Sequence, residues 1–227
     1  PADLADFALG FSLSEGIVSE PADIVSIEVV PAGDGIDLQI MLADDTAEAL
    51  TSRRRHMAGP VGCGLCGIES IEQAMRQVPS VEPGDFCLTP AQIAEAVRLL
   101  GDAQSLNRET RAVHGAGFFV PGRGLVALRE DVGRHNALDK LTGAVIRAGY
   151  SGRQGAVVVT SRLSVEMVQK TAALKCPMLI AVSAPTALAI RTAEEAGITL
   201  VGIARGDEFE IFTRSDRILA GVNAHVA

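Results

Sequence analysis

The residues of this 227-residue chain best suited to chemistry are two cysteines spaced Cys63-Gly64-Leu65-Cys66, with Gly62 and Gly67 on either side. Glycines at 62, 64 and 67 give an accessible loop that can carry a thiol to a large partner. A helical pattern follows, with Ile68, Ile71, Met75 and Val78 on one face. Its positive N-terminal end would lie beside the thiols and lower their pKa. The thiolate is the form that attacks sulfur. A CxxC pair also serves as half of a structural zinc site. Cys87, Cys176 and the four histidines, however, offer no second CxxC and no His-x-x-x-His spacing. The zinc-deaminase pattern, His-x-Glu followed by Pro-Cys-x-x-Cys, is missing as well. The strand and helix expected around a thioredoxin-type redox pair are not matched. Thiol chemistry moves ahead of structural zinc.

A second concentration is Arg129-Glu130-Asp131-Val132-Gly133-Arg134-His135-Asn136-Ala137-Leu138-Asp139-Lys140, at the start of a helix with Leu138, Leu141 and Val145 on its apolar face. An ion-paired helix end is the plainer reading. The polar density exceeds what a cap requires, so the whole string points to a ligand site. Two further strings, Thr160-Ser161-Arg162-Leu163-Ser164 and Ser183-Ala184-Pro185-Thr186, fall where a strand gives way to a helix. Hydroxyls and an arginine at helix N-termini suit phosphate. Open α/β sheets bind ligands beyond the carboxyl ends of their strands. With Arg205-Gly206 after the next strand, the junctions point to an anionic ligand. No Walker-type or GxGxxG loop is present, so ordinary ATP or NAD binding is not indicated.

These residues need a frame to position them. Asp3 is expected to cap a helix to about Gly16, carrying Leu4, Phe7, Ala8 and Phe11 at helical spacing. Strands at 24–30 and 36–42 flank a Gly33-Asp34-Gly35 hairpin turn. Residues 43–60 read as irregular, with the basic run Arg53-Arg54-Arg55, and 79–88 as a linker. Thr89-Pro90 starts a helix with Ile93, Val97 and Leu100 as its buried stripe. Strands near 112–120 and 124–130 precede a helix at about 133–148. Strand 156–160, helix 163–174, strand 178–183, helix 186–196 and strands 198–204 and 208–213 follow, then a last short helix. Residues 1–85 therefore read as a smaller α+β portion carrying the CxxC loop. Residues 86–227 read as a three-layer α/β domain with a mainly parallel sheet.

Composition excludes several classes. Acidic residues outnumber basic ones 28 to 20, a net charge of −8, which disfavours nucleic acid. Four cysteines are too few for a secreted disulfide scaffold. The longest apolar stretch, Pro177 to Ile190, is interrupted by Ser183, Pro185 and Thr186 and is too short to span a membrane. The chain opens on Pro1 with no charged-then-apolar leader, and a cytoplasmic protein is expected. Seven Phe, one Tyr, no Trp and 23 Gly suit an aliphatic α/β core joined by tight loops.

Four strings, taken in order, resemble the formate dehydrogenase accessory sulfurtransferases, the FdhD family. They are Cys63-Gly-Leu-Cys66-Gly67, Glu130-Asp131-Val-Gly133-Arg134-His135-Asn136-Ala-Leu-Asp139-Lys140, Ser161-Arg162-Leu-Ser164-Val-Glu166-Met and Ser183-Ala-Pro185-Thr186. Gly197-Ile-Thr-Leu-Val-Gly202 followed by Arg205 also fits, and the likeness runs from about residue 7 to residue 213. The resemblance implies a cytidine-deaminase-like α/β fold without the deaminase zinc site, and a homodimer. It implies a sulfur carrier, loaded by a cysteine desulfurase as a Cys persulfide. On this resemblance the sulfur would then pass to the molybdenum or tungsten bis-pterin guanine dinucleotide cofactor before its insertion into apo-formate dehydrogenase. A guanine nucleotide such as GDP would occupy the same site.

Residue by residue, the resemblance makes Cys63 the persulfide carrier and Cys66 its assistant or exchange partner. It puts Ile203, Ala204, Arg205, Gly206, Asp207 and Glu208 in the cofactor-binding stretch. Ser161, Arg162, Ser183 and Thr186 fit a phosphate or guanine site, with His135 and Asp131 nearby. His114 stands in a Thr110-Arg-Ala-Val-His114 string where the family has Thr-Gly-Gly-x-His. Cys176 reads as a buried small hydrophobe. The rival function is a non-catalytic chaperone that binds the cofactor, with the CxxC as a structural pair.

Overall fold

The computed structural model describes residues 2–43, 78–81, 84–219 and, for the backbone, 225–226. The Cys63–Cys66 loop and the helical pattern after it lie outside the described residues. Helix α1 (Leu4–Ser14) is followed by a two-stranded antiparallel ribbon, β1 (Ile24–Ala32) and β2 (Gly35–Leu42). Gly33 takes φ +60° at the turn between them, the left-handed conformation a tight hairpin needs.

Helices α2 (Pro90–Ala103) and α3 (Ser105–Thr110) lead into β3 (His114–Val120) and β4 (Gly124–Asp131). Then come α4 (Arg134–Arg147), β5 (Ala156–Val159), α5 (Val165–Ala173), β6 (Met178–Ala181), α6 (Ala187–Ala196), β7 (Thr199–Arg205), β8 (Glu208–Thr213) and β9 (His225–Val226). The seven-stranded sheet runs β4-β3-β5-β6-β7-β8-β9. It is mixed, not mainly parallel. Pairs β5–β6 and β6–β7 are parallel because a helix crosses between them, whereas β3–β4 and β7–β8 are short-turn hairpins and must be antiparallel.

Strand alternation divides the core into two layers. Val157, Val159, Leu179 and Ala181 face one way and pack with Leu138, Leu141, Met167, Val168 and Ala193 of α4, α5 and α6. Ala156, Val158, Met178 and Ile180 face the other way, against Ile93, Ala96 and Leu100 of α2. The architecture is mixed α/β, with helices on both faces of the sheet.

Local signals start two of these helices. Thr89 Oγ1 accepts from the Gln92 N–H, Gln92 accepts in return from the Thr89 N–H, and Pro90 opens α2. Thr186 caps α6 in the same way, accepting from the Ala189 N–H. Asp3 does not cap α1. It sits at φ 57°, and its carboxylate instead lies 3.6 Å from Arg129. Helix α3 has no sequence signal of its own. Glu130, more than 20 residues away, accepts the backbone N–H groups of Leu106 and Asn107 at its start. Where a last short helix is expected, the described residues form a 3-10 turn at Ser215–Arg217 and the strand β9.

Candidate functional site

The loops leaving β5, β6 and β7 gather at one edge of the sheet. Leu163 and Pro185 form a parallel bridge, and the Thr186 N–H donates to the Leu163 carbonyl at 2.9 Å. The Ile203 N–H donates to the Ser183 carbonyl at 3.2 Å. Strand β7 is irregular here, with Ile203 at φ 53° and a register shift between Gly202 and Arg205. A Cβ at Gly202 would lie 2.9 Å from the Phe212 ring, 3.1 Å from Pro185 and 3.2 Å from the Ser183 carbonyl, so a side chain there would force these neighbours to shift. The structure thus brings together the strings 161–164, 183–186 and 202–205.

Individual side chains differ in what they can offer. Arg162 and the turn from Arg205 to Glu208 are exposed. Ser161 is buried and donates to the Arg162 carbonyl. The Thr186 hydroxyl is engaged in the α6 cap. Ala204 is 2% exposed and belongs to the core facing α2, so its side chain can touch no ligand. Gly206 and Asp207 line a groove of about 470 Å³ with Ala91, Val97 and Arg98 of α2.

The second string builds the start of α4. Asp131 accepts from the Gly133 N–H at 2.8 Å, from Asn136 at 3.3 Å and from Lys140 Nζ at 2.6 Å. Burial pushes its carboxyl up, but these contacts outweigh burial and hold it below the usual range. Asp131 is therefore an organiser of the helix start. His135, in the first turn, has its pKa lowered to about 4 by burial and by the Arg134 charge, so it is neutral at physiological pH. His114, at the start of β3, is lowered by the same two causes.

Behind His135 lies an ion network with no sequence-local signal. Lys170 Nζ donates to both Asp139 oxygens at 2.9 and 3.0 Å and to Glu15 at 3.0 Å. Burial opposes the ammonium, yet Asp139 and Glu15 more than offset it and raise the Lys170 pKa. Ser14 also contacts Asp139, which ties α1 to α4 and α5. Glu166 lies in the first turn of α5, one turn before Lys170. Burial raises its pKa, and Ser164, its own backbone N–H, His135 and Arg134 together bring it below the ordinary value. Sequence reasoning gave no role to Glu166, Lys170 or Glu15. The one available signal was a lysine inside a run where Val165, Met167, Val168 and Thr171 are all buried.

Among the described residues no three His, Cys, Asp or Glu side chains are grouped to hold a metal ion, and no helix is long and apolar enough to cross a membrane.

The FdhD/NarQ family profile matches residues 1–219. A protein of Agrobacterium fabrum named sulfur carrier protein FdhD is 67% identical over 219 residues, covering 96% of this chain and 81% of that protein. A Brucella abortus protein of the same name is 57% identical over the same shares. The crystal structure of a candidate formate dehydrogenase accessory protein from Desulfotalea psychrophila superposes with a TM-score of 0.73 at 28% identity, covering 96% of this chain and 81% of that one. With the fold, the four strings and the profile in agreement over nearly its whole length, the chain belongs to the FdhD/NarQ family.

Proposed function

We propose that the protein is a sulfur carrier serving formate dehydrogenase. Cys63 accepts sulfur from a cysteine desulfurase as a persulfide, and the acceptor is the molybdenum or tungsten bis-pterin guanine dinucleotide cofactor. One observation carries the assignment of the thiol. Cys176 is fully buried and its pKa is pushed up to about 12, which leaves thiolate chemistry to the glycine-flanked Cys63–Cys66 pair. Cys87 is half-buried and has no cysteine neighbour in sequence. The names of the Agrobacterium and Brucella relatives support the same reading.

The loading step is a thiol exchange. The Cys63 thiolate attacks the terminal sulfur of the donor persulfide, the donor S–S bond breaks, and the donor leaves as a thiolate. Cys66 assists or exchanges. The carboxyl edge of the sheet fits a phosphorylated ligand such as GDP. Arg162 and Arg205 are exposed there, and α6 presents its N-terminus beside Ser183. The reading extends to a cytidine-deaminase-like fold, a homodimer, a cytoplasmic location and a division into 1–85 and 86–227.

The test is formate dehydrogenase activity in cells lacking the endogenous carrier and supplied with a Cys63→Ala/Cys66→Ala variant. Activity should be lost at unchanged protein level. Retained activity would favour a cofactor-binding chaperone.

A further inference from the structure

Strand β4 ends the seven-stranded sheet, and among the described residues no strand pairs along its outer side. The Gly115 N–H donates to Thr160 Oγ1 at 3.0 Å, and the Gly115 carbonyl accepts the Thr160 N–H at 3.1 Å. By alternation, Gly115 and Gly117 turn to β5, while His114, Ala116 and Phe118 turn to β4. Their partners Asp131, Arg129 and Ala127 spend their backbone groups on β3, which leaves those of Leu128 and Glu130 on the open edge. The Arg129 guanidinium reaches the outward Leu128 carbonyl at 2.7 Å. Open edges invite another strand unless proline, a bulge or a cover blunts them. Here β4 has no proline, and its bulge lies opposite Phe118 and Phe119, before the regular stretch 127–131. Helix α2 runs beside this edge, and the two enclose a groove of about 900 Å³ whose apolar lining includes Leu99, Ala103, Leu125 and Leu128. The charges around it are unequal. Arg129 is neutralised by Asp3 and Asp6, and Arg123 lies over the Tyr150 ring, 6.0 Å from its centroid. Glu95 and Asp102, two helical turns apart on the α2 wall, are exposed, and Asp102 shares only a solvent-exposed pair with Arg98.

We propose that the groove between α2 and β4 docks an extended segment of a partner protein, added to the sheet as one further strand and carrying basic side chains at alternate positions. The backbone groups of Leu128 and Glu130 supply the main-chain hydrogen bonds. Alternate side chains of the added strand face α2. Lysine stems lie along Leu99 and Ala103, and their ammonium groups reach Glu95 and Asp102 at the rim. The Glu130 carboxylate is held by the Leu106 and Asn107 N–H groups, so it does not compete for them. An acidic segment is repelled by the same wall. A second copy of the chain fits worse, because the arginine within its own β4, Arg129, is already held by Asp6 and would bring no free cation to Glu95 and Asp102. Neither the groove nor its charges depend on the sulfur-carrier reading.

Fluorescence anisotropy on the full chain tests this with two labelled octapeptides, one alternating valine and lysine, the other valine and glutamate. The lysine peptide should bind about tenfold or more tightly than the glutamate peptide, and the preference should shrink in high salt. Methylating the backbone nitrogens along one edge of the lysine peptide should abolish binding, since that edge can then no longer donate to β4. The Glu95→Lys/Asp102→Lys variant, altered only at exposed positions, should reverse the preference at an unchanged thermal midpoint. Hydrogen exchange read by NMR should show the Leu128 and Glu130 amides gaining protection when the lysine peptide binds. Equal binding of the two peptides, no binding at millimolar concentration, a preference surviving in the double variant, or β4 amides unchanged on binding would each overturn the proposal. So would protection of the Leu128 and Glu130 amides that rises with protein concentration in the absence of peptide, which would assign the edge to a second copy.

Discussion

Cys176 Sγ lies 3.3 Å from the carbonyl oxygens of Gly155 and Met178, in a position with no solvent exposure. Burial is what pushes its pKa up to about 12, so it carries almost no thiolate at neutral pH. Alkylation of the folded protein followed by peptide mapping should leave Cys176 unlabelled. Cys176→Ala should lower stability by about 1 kcal/mol through the small void it leaves, without changing sulfur loading. His135 gives a pH-dependent counterpart. Its pKa falls from 6.5 to about 4 on folding, so on acidification the unfolded chain takes up the proton first. The stability it contributes is full above about pH 6.5 and is lost as the pH falls towards about 4. The thermal midpoint should drop across that window, and less steeply in His135→Asn. An imidazole NMR titration with a midpoint near 6.5 would contradict this.

At the level of elements, α1 and α4 cross backbone against backbone. A Cβ at Gly143 would run into the Asp6 carbonyl, and one at Gly10 into that of Asp139. Close approach is what lets Asp6 reach Arg129 at 2.6 Å and Arg147 at 2.7 Å. Gly143→Ala should therefore destabilise by about 2–3 kcal/mol, as overpacking does. Gly101→Ala is the contrast. It lies in α2, a Cβ there would meet nothing within 4 Å, and the substitution should stabilise by about 0.5–1 kcal/mol. Asp131→Ala removes three bonds and strands Lys140, whose side chain is only 6% exposed. A loss of about 3–5 kcal/mol is expected, measured by urea unfolding.

Across the whole molecule, what was legible in the sequence was what is local. Thr89-Pro90 announces α2, and the Gly33 turn announces β1–β2, because the signals sit within a few residues of each other. The junctions at Ser161–Ser164 and Ser183–Thr186 were legible as strand-to-helix switches, and the sheet brings them together. The ion network was not legible. Ser14 and Asp139 are 125 residues apart and Asp6 and Arg129 are 123 apart, so nothing local marks them as partners. Helix α3 escaped for the same reason, its cap arriving from Glu130. The mixed sheet follows from which strands a helix separates, and the short gap between β3 and β4 already required an antiparallel pair.

The central claim is that Cys63 carries the sulfur. Intact-mass spectrometry after incubation with a cysteine desulfurase and cysteine tests it most directly. The wild type should gain about 32 Da, one sulfur atom, reversible by a thiol reductant. Cys176→Ala should gain it equally, and Cys63→Ala should not. A persistent adduct on Cys63→Ala would contradict the account.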